Sequence, residues 1–544
     1  MSLISSDRQQ WLAQDALQNL EAVVSIDSCS DERSSSVPST QGQVKLTEAL
    51  RARFEALGAQ VEVDRFANII ARYEGHGAGR DASPIALMIH LDTAHGTKAI
   101  PSLYTHPNWD GAALKLPENP TLKVSVARYP SLARYLGHTI VHGPGDAPFG
   151  LDDKLGLTHL LSLATTYSEL LASDEELDLP PVWLIGRPDE EIGRDDALHS
   201  LAQTLAEAGV TRGYTVDGIE PFEVNIANFN GAVARCALPQ DTLEPLPEGL
   251  PLSITISGVN THGATAYDEG HRGALRWLTE LWAQVNERGV RLCAFEPSEE
   301  RECDGVVHLW APDLASAAVT RTTVGALIDP HLPSGASYRF EETPLERQEA
   351  GLSADPSLER VLSWLNEVLF QSSAPWPLLA EDSQGWEGYS HPADLSLSTG
   401  DSRGWRLTWR VRDFERAGIE ARVSWLQERA ERLSGARFEW AHQYDNMAKR
   451  LSDCPELISW AVAGARAVGV EAQVRPIRGG TGVDPFLDAG VMIANLGTGY
   501  FSPESEKELT SLELMVQHGA WLFALLQASL LPSEQLPPPP VAQR

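Results

Sequence analysis

Four short segments of the chain carry a histidine or carboxylates directly after an apolar run. The segments are His90-Leu91-Asp92, Asp152-Asp153-Lys154, Asp189-Glu190-Glu191 and Val216-Asp217-Gly218. Side chains that follow the strands of a parallel sheet meet at the carboxyl edge of that sheet, so we expect the four segments to converge. Imidazole and carboxylate groups are ligands of divalent ions such as zinc. The set therefore predicts a metal-dependent catalytic site.

Each segment taken alone has a simpler explanation. His90 and Asp92 would suit a surface turn, Asp152 would suit the first turn of a helix, and Asp217 is a common turn residue. The adjacent pair Glu190-Glu191 is more specific, because two neighbouring carboxylates repel each other unless a cation holds one of them. The other carboxylate is then free for proton transfer. The interpretation depends on the whole set.

The elements that position these residues predict an α/β catalytic domain. The runs 84–89 and 181–185 are short and continuously apolar, as in strands buried on both faces, and a helical pattern from Leu155 to about Leu171 lies between them. From about residue 232 the strands alternate apolar and polar residues, as in a half-exposed sheet. The first pattern returns after about residue 446. We expect a mixed, mostly parallel sheet flanked by helices, with an inserted α+β lid or dimerisation domain.

The same patterns give the predicted domain boundaries. Residues 1–231 and 446–530 form the two parts of the catalytic domain, and residues 232–445 form the lid, with an extra insertion at about 295–380. The insertion holds one amphipathic helix that Asp355 can cap, with Pro356 in its first turn. The Pro-rich tail, residues 531–544, is predicted to be disordered.

Composition excludes several classes of function. The chain has 544 residues with 75 acidic and 43 basic side chains, a formal net charge of -32, which argues against nucleic acid or anionic membranes as partners. The five cysteines are scattered without the spacing of a zinc or disulfide framework. We recognise neither a signal peptide nor a membrane span. These features predict a cytoplasmic protein.

Taken together and in this order, the segments resemble the peptidase T branch of the co-catalytic zinc metallopeptidases, a family that also contains carnosinases, desuccinylases and aminoacylases. The resemblance covers most of the chain and includes further runs at 187–193, 214–218, 228–230, 259–263, 412–414 and 476–481.

The resemblance implies a role for each candidate residue. His90, Asp152 and Asp217 would hold one zinc ion, and Asp152 would bridge to a second ion held by Glu191, with Mn²⁺ or Co²⁺ as possible substitutes. The implied supporting roles are Asp92 as the group that orients His90, Glu190 as the general base, His262 as the lid residue that stabilises the oxyanion in the partner subunit, and Arg478 and Arg412 as ligands of the substrate carboxylate. A homodimer through the lid is implied as well.

One expected ligand is missing from the sequence. Members of this branch close the second metal site with a histidine before the last helix, and our alignment places Lys507 there. Glu506 or Glu508 could supply an oxygen ligand, or the Lys507 ammonium could take the place of the second ion. The predicted function is cleavage of the N-terminal residue from short, tripeptide-like peptides or a related amide by metal-activated water. The alternative is a catalytically impaired or single-metal family member that acts as a binding or regulatory protein.

Overall fold

The computed structural model describes residues 6–172, 177–299, 301–341, 352–398 and 403–538. The chain divides into two compact units. Unit 1 consists of Met1–Asn119, Ser125–Asn228 and Asn446–Arg544, and unit 2 consists of Pro120–Val124 and Phe229–Asp445. The predicted Pro-rich tail begins with a 3-10 turn at Ser533–Gln535, and residues 539–544 lie outside the described residues.

The first part of unit 1 alternates strands and helices. The helices are α1 Ser6–Val24, α2 Gln41–Ala56, α3 Leu151–Ala172 and α4 Asp195–Glu207. The strands are β1 Gln60–Val63, β2 Ile69–Tyr73, β3 Ile85–His90, β4 Tyr104–His106, β5 Ile140–His142, β6 Val182–Arg187, β7 Arg212–Gly218 and β8 Glu223–Asn225. Strand β3 is buried at every position, as its apolar run predicts.

Unit 2 contains the elements between β8 and residue 445. Its strands are β9 Asn230–Pro239, β10 Glu244–Pro245, β11 Leu250–Ser257, β12 Arg291–Pro297, β13 Gly305–Ala311, β14 Ser337–Glu341, β15 Ser353–Ala354, β16 Tyr389–Ser398, β17 Gly404–Asp413 and β18 Arg437–Tyr444. Its helices are α5 Ala266–Glu269, α6 Ala274–Val285, α7 Leu314–Ile328, α8 Pro356–Asn366 and α9 Arg416–Ala430. Two four-stranded antiparallel sheets, in the orders β12-β13-β11-β14 and β16-β17-β9-β18, share one apolar core with α6, α8 and α9.

Unit 1 is completed by the last part of the chain. The elements are α10 Ala448–Leu451, α11 Pro455–Ala467, β19 Gln473–Val474, α12 Asp484–Asp488, β20 Met492–Gly497, β21 Leu509–Ser511 and α13 Leu512–Ala528. Its main sheet has eight strands in the order β1-β2-β6-β3-β7-β20-β8-β19. The four central strands, β6, β3, β7 and β20, run parallel. Outside them, the pairs β1–β2, β2–β6 and β20–β8 are antiparallel, and the edge pair β8–β19 is parallel. The predicted α/β class with a mixed sheet flanked by helices is confirmed.

One expectation about the sheet is wrong. Strand β5, which precedes Asp152, belongs to a separate three-stranded antiparallel sheet in the order β21-β5-β4. Asp152 therefore does not follow a strand of the parallel sheet; it lies in the first turn of α3, where its backbone is non-helical. A short apolar run is equally typical of a buried parallel strand and of a buried strand in a small second sheet, which is why the sequence pattern misled us.

Candidate metal and active site

His90 is the last residue of β3, and its imidazole is buried. Its Nδ1 donates to the main-chain oxygen of Asp92 at 2.9 Å, and an Asp92 carboxylate oxygen lies farther away at 3.5 Å. We predicted that the carboxylate would orient the ring, whereas the nearer acceptor is the carbonyl. This bond directs Nε2 toward Asp152 Oδ1 at 2.9 Å and Asp217 Oδ1 at 3.4 Å. The imidazole is thus held ready to ligate through Nε2.

The Asp92 carboxylate organises the turn that follows β6. Its two oxygens accept the main-chain N–H groups of Glu190 at 2.9 Å and Glu191 at 3.1 Å. Because Asp92 also holds His90 through its carbonyl, one residue fixes the positions of the imidazole and of both glutamates.

Asp189 supports the same turn from the opposite side. It is buried and has a φ of 55°, a left-handed conformation that L residues other than Gly rarely adopt. Its carboxylate accepts the Ser39 N–H at 2.8 Å and the Gln43 side-chain amide at 2.7 Å. These partners could not be predicted from the sequence, because they precede the turn by about 150 residues. The two glutamates consequently lie in a turn, and α4 begins only at Asp195.

Five of the predicted residues converge into two groups of ligand atoms. His90, Glu190 and Asp217 form one group, and His90, Asp152 and Glu191 form the other, with the ligand atoms of each group within 4.8 Å of one another. The predicted metal residues are therefore neighbours in space. Glu190, predicted as the base, is close enough to Asp217 to be a ligand as well.

Burial and mutual repulsion act strongly on the carboxyl groups of the cluster. Burial raises the pKa of Asp217 to about 7, and Asp152 and Glu190 add to the increase while His90 opposes it. Burial also raises the pKa of Glu191 well above its usual value, with Glu504 and then Asp152 as the next contributions. For His90, burial disfavours the imidazolium, but Asp217 and Asp152 outweigh that effect and raise its pKa well above the usual value.

These features fit a bound divalent cation. Carboxyl groups that repel one another in a buried site are expected when a positive charge normally separates them. Glu191 Oε1 is also buried, and it has no hydrogen-bond partner among the described residues. A donor set of one imidazole and several carboxylates suits zinc, manganese or cobalt ions.

The pKa shifts predict how stability depends on pH after treatment with EDTA. The carboxyl pKa values of Asp217 and Glu508 are raised to about 7 and about 8, so their contributions are present below pH 4 and are lost as pH rises through these values. His90, with its raised pKa, acts in the same direction, and Lys154, whose pKa burial lowers to about 8, acts in the opposite one. We expect the Tm to fall by about 5 °C or more between pH 6 and pH 9. Calorimetry of the EDTA-treated protein tests this, and a flat or rising profile would contradict it.

The segment after β20 contributes residues that sequence reasoning missed. Tyr500 donates its hydroxyl to Asp152 Oδ2 at 2.9 Å and is buried. Glu504 contributes more to the raised pKa of Glu191 than any other charged group. Both residues lie in the loop in which the ligand histidine was expected.

Glu506, Lys507 and Glu508 were the three candidates to replace the missing histidine ligand, and the structure describes the surroundings of two of them. The Glu508 carboxylate is buried and accepts the Leu151 N–H at 3.0 Å, and the amides of Gly150 and Glu504 also lower its pKa, against the larger effect of burial. Glu508 thus links the loop to the start of α3. Lys507 is only 2% exposed.

The other predicted residues belong to other segments. Arg478 lies between β19 and α12 and is half-buried. His262, in unit 2, accepts the Ala264 N–H at Nδ1 at 3.2 Å, so its neutral ring carries the proton at Nε2. Arg412, also in unit 2, donates to Gln443 at 3.0 Å and lies over the Tyr444 ring.

Comparisons with known proteins agree with this architecture. No family model matches the chain. The chain is 24% identical over 514 residues to peptidase T of Bacillus thuringiensis, covering 93% of this chain and 96% of the relative. It is 24% identical over 520 residues to peptidase T of Macrococcus caseolyticus, covering 94% and 97%. The crystal structure of an aminopeptidase PepT from Bacillus cereus matches with a TM-score of 0.51 and 14% identity, covering 95% of this chain and 98% of that chain.

The α/β unit with its inserted segment, together with the cluster of one histidine and several acidic side chains, defines the class of the metallopeptidases. Within this class the chain is similar to peptidase T, and this similarity extends over nearly the whole length of both proteins. None of the helices in the described ranges is long and apolar enough to cross a membrane.

Proposed function

We propose that the protein is a metal-dependent aminopeptidase that removes the N-terminal residue from short, tripeptide-like peptides. That it is a peptide-cleaving hydrolase follows from its relation to peptidase T. The observation that supports the finer proposal is the convergence of His90, Asp152, Glu190, Glu191 and Asp217 into two groups of ligand atoms that share His90. A binding or regulatory protein would have no need of such a cluster, and no observation favours that alternative.

We assign His90, Asp152 and Asp217 to the first ion and Asp152 with Glu191 to the second. Bound divalent ions lower the pKa of water and polarise the peptide carbonyl. We assign the role of general base to Glu190, and two observations support this: its side chain is about one-fifth exposed, and its main-chain N–H is held by the Asp92 carboxylate. In this role Glu190 takes a proton from the attacking water and passes it to the leaving amine.

The substrate-binding residues remain predictions. We propose that Arg478 and Arg412 bind the peptide carboxylate, for which the guanidinium fork is suited. His262 is proposed as the donor to the oxyanion, and the Nε2–H tautomer that its contact with Ala264 favours is the one that can donate. Zinc as the metal, a homodimer through the lid and a cytoplasmic location are retained as proposals.

We further propose that Glu504 takes the place of the missing histidine and supplies the third protein ligand of the second ion. Among charged groups Glu504 contributes most to the raised pKa of Glu191, which supports this assignment over Glu506, Glu508 and Lys507. A second site made of Asp152, Glu191 and Glu504 offers only oxygen ligands, so it should favour manganese over zinc more than a histidine-containing site does.

Glu504→Gln is therefore expected to reduce the bound manganese from two equivalents to one. The matched control is Glu506→Gln, which makes the same chemical change two residues away and should retain both ions. Equilibrium dialysis with metal analysis measures the stoichiometry. Loss of an ion in Glu506→Gln, with two ions kept in Glu504→Gln, would contradict the assignment.

The proposed function is tested by hydrolysis of a peptide panel. EDTA-treated protein is reloaded with zinc, manganese or cobalt and incubated with dipeptides, tripeptides, N-acetylated tripeptides and pentapeptides. We expect release of the N-terminal residue from tripeptides, no activity without metal, and loss of activity on the N-acetylated series. Cleavage at the carboxyl end, or no cleavage with any metal, would refute the proposal.

A further inference from the structure

Arg187 is a fully buried cation next to the proposed first metal position. It is the last residue of β6 and is 0% exposed. Its Nη2 lies 3.6 Å from Glu190 Oε1 and 3.9 Å from Asp217 Oδ2. A guanidinium cannot lose its proton to avoid the cost of burial, so neighbouring negative charges must compensate it. Glu190 and Asp217 provide that compensation.

The guanidinium also contacts the Gly-rich loop that carries Arg478. Its Nη2 donates to the Thr481 carbonyl at 3.3 Å. Gly482 has a φ of 57°, and a Cβ there would lie 2.5 Å from Arg187 Nη1 and 2.9 Å from Glu190 Oε1. Only glycine leaves enough space, so the backbone of the loop closes directly over the guanidinium.

The contacts of Arg187 are incomplete for a purely structural residue. Nε and Nη1 are buried and have no hydrogen-bond partner among the described residues. Buried arginines that serve only packing usually satisfy most of their five N–H donors. The position of Arg187 is explained better by its charge than by its hydrogen bonds.

We propose that Arg187 is a resident cation of the first metal position: it neutralises Asp217 and Glu190 before metal binds and weakens the binding of the first ion. This inference rests on the proposed function only in that the cluster holds a divalent ion. A fixed positive charge close to Asp217 repels an incoming divalent cation, and at the effective dielectric of a buried site this repulsion is substantial. Arg187 is thus a positioning residue, which attracts both carboxylates and keeps the site formed without metal.

Manganese titration of EDTA-treated protein, followed with a competing fluorescent chelator and without substrate, tests this proposal. We expect Arg187→Met to lower the Kd of the first ion by at least tenfold and Arg187→Lys, which keeps the charge, to stay within threefold of wild type. Arg187→Met should also have a lower Tm after EDTA treatment and a larger rise in Tm on adding manganese. A structural defect would instead weaken metal binding.

Arg212→Met is the matched control, because Arg212 is a partly exposed arginine of unit 1 that pairs with Glu456 at 2.7 Å. Its Kd should equal that of wild type. If Arg187→Met is poorly folded, Arg187→Gln gives the same comparison of charge. If Arg187→Met and Arg187→Gln bind the first ion with a Kd equal to or higher than that of Arg187→Lys, the proposal is overturned. Failure of both neutral variants to fold with manganese present also overturns it. Peptidase activity is measured separately, so an inactive wild type that shows the expected Kd order refutes only the proposed function.

Discussion

Replacing Glu190 by Gln is expected to lower kcat by about 10²–10⁴-fold, the range typical of a lost general base. Gln has the volume of Glu but does not accept a proton at neutral pH. The bonds from the Glu190 and Glu191 amides to Asp92 involve the main chain, so they persist in the variant. The loss should therefore appear in kcat, with little change in KM or in metal content. Steady-state kinetics and metal analysis of the same preparations measure both effects.

Glu191→Gln is the informative control, because it changes the adjacent carboxylate in the same way. This variant should lose the second ion, whereas Glu190→Gln should keep both. The proximity of Glu190 to His90 and Asp217 allows a second result, in which Glu190→Gln loses the first ion. That result would make Glu190 a metal ligand, and more than a tenth of the wild-type kcat in Glu190→Gln would exclude it as the base.

The parts of this site that were predictable lie on regular elements. His90 and Asp217 are at the carboxyl ends of β3 and β7, and continuous apolar runs allow few alternatives to buried parallel strands. The same holds for α8, where Asp355 accepts the N–H groups of Ser357 and Leu358 as the sequence predicts for an N-cap. In each case a short stretch of sequence, an apolar run or an N-cap residue, is enough to predict the position.

The parts that were not predictable depend on loop conformation. Ser502 and Glu504 have φ values of 60° and 56°, in the left-handed region that residues other than Gly rarely adopt. No pattern in the sequence of the loop predicts these conformations. These turns help to place Tyr500 and Glu504. Our alignment selected Lys507 by lining up the segments on either side, 494–496 and 511–513, and such an alignment contains no information about the path of the loop between them. Arg187 was likewise overlooked, since in the sequence it is one cation at the end of a strand. Its contacts with Asp217, Glu190 and Thr481 exist only in the folded protein, because these residues come from other segments or from the turn after β6.

Asp152→Asn is expected to have the second large effect, because Asp152 is the one residue proposed to contact both ions. Its Oδ1 lies 2.9 Å from His90 Nε2, and its Oδ2 accepts the Tyr500 hydroxyl. Asn has a similar shape but lacks the negative charge that holds cations. We expect at most one bound ion and a decrease in kcat/KM of about 10³-fold, which corresponds to about 4 kcal/mol of transition-state stabilisation.

Tyr500→Phe tests the positioning of the Asp152 carboxylate without removing its charge. The phenylalanine variant removes the hydrogen bond to Oδ2 but leaves the carboxylate, so we expect both ions to be retained. The value of kcat/KM should fall by about 10- to 100-fold, as for the loss of one hydrogen bond to a charged group. Metal analysis and kinetics of the two variants distinguish the effects. If Tyr500→Phe instead gains metal affinity, the hydroxyl competes with the second ion for Oδ2, because the same oxygen cannot serve both equally well. If Asp152→Asn retains two ions, the bridging assignment is wrong and the two ions must be held by separate carboxylates.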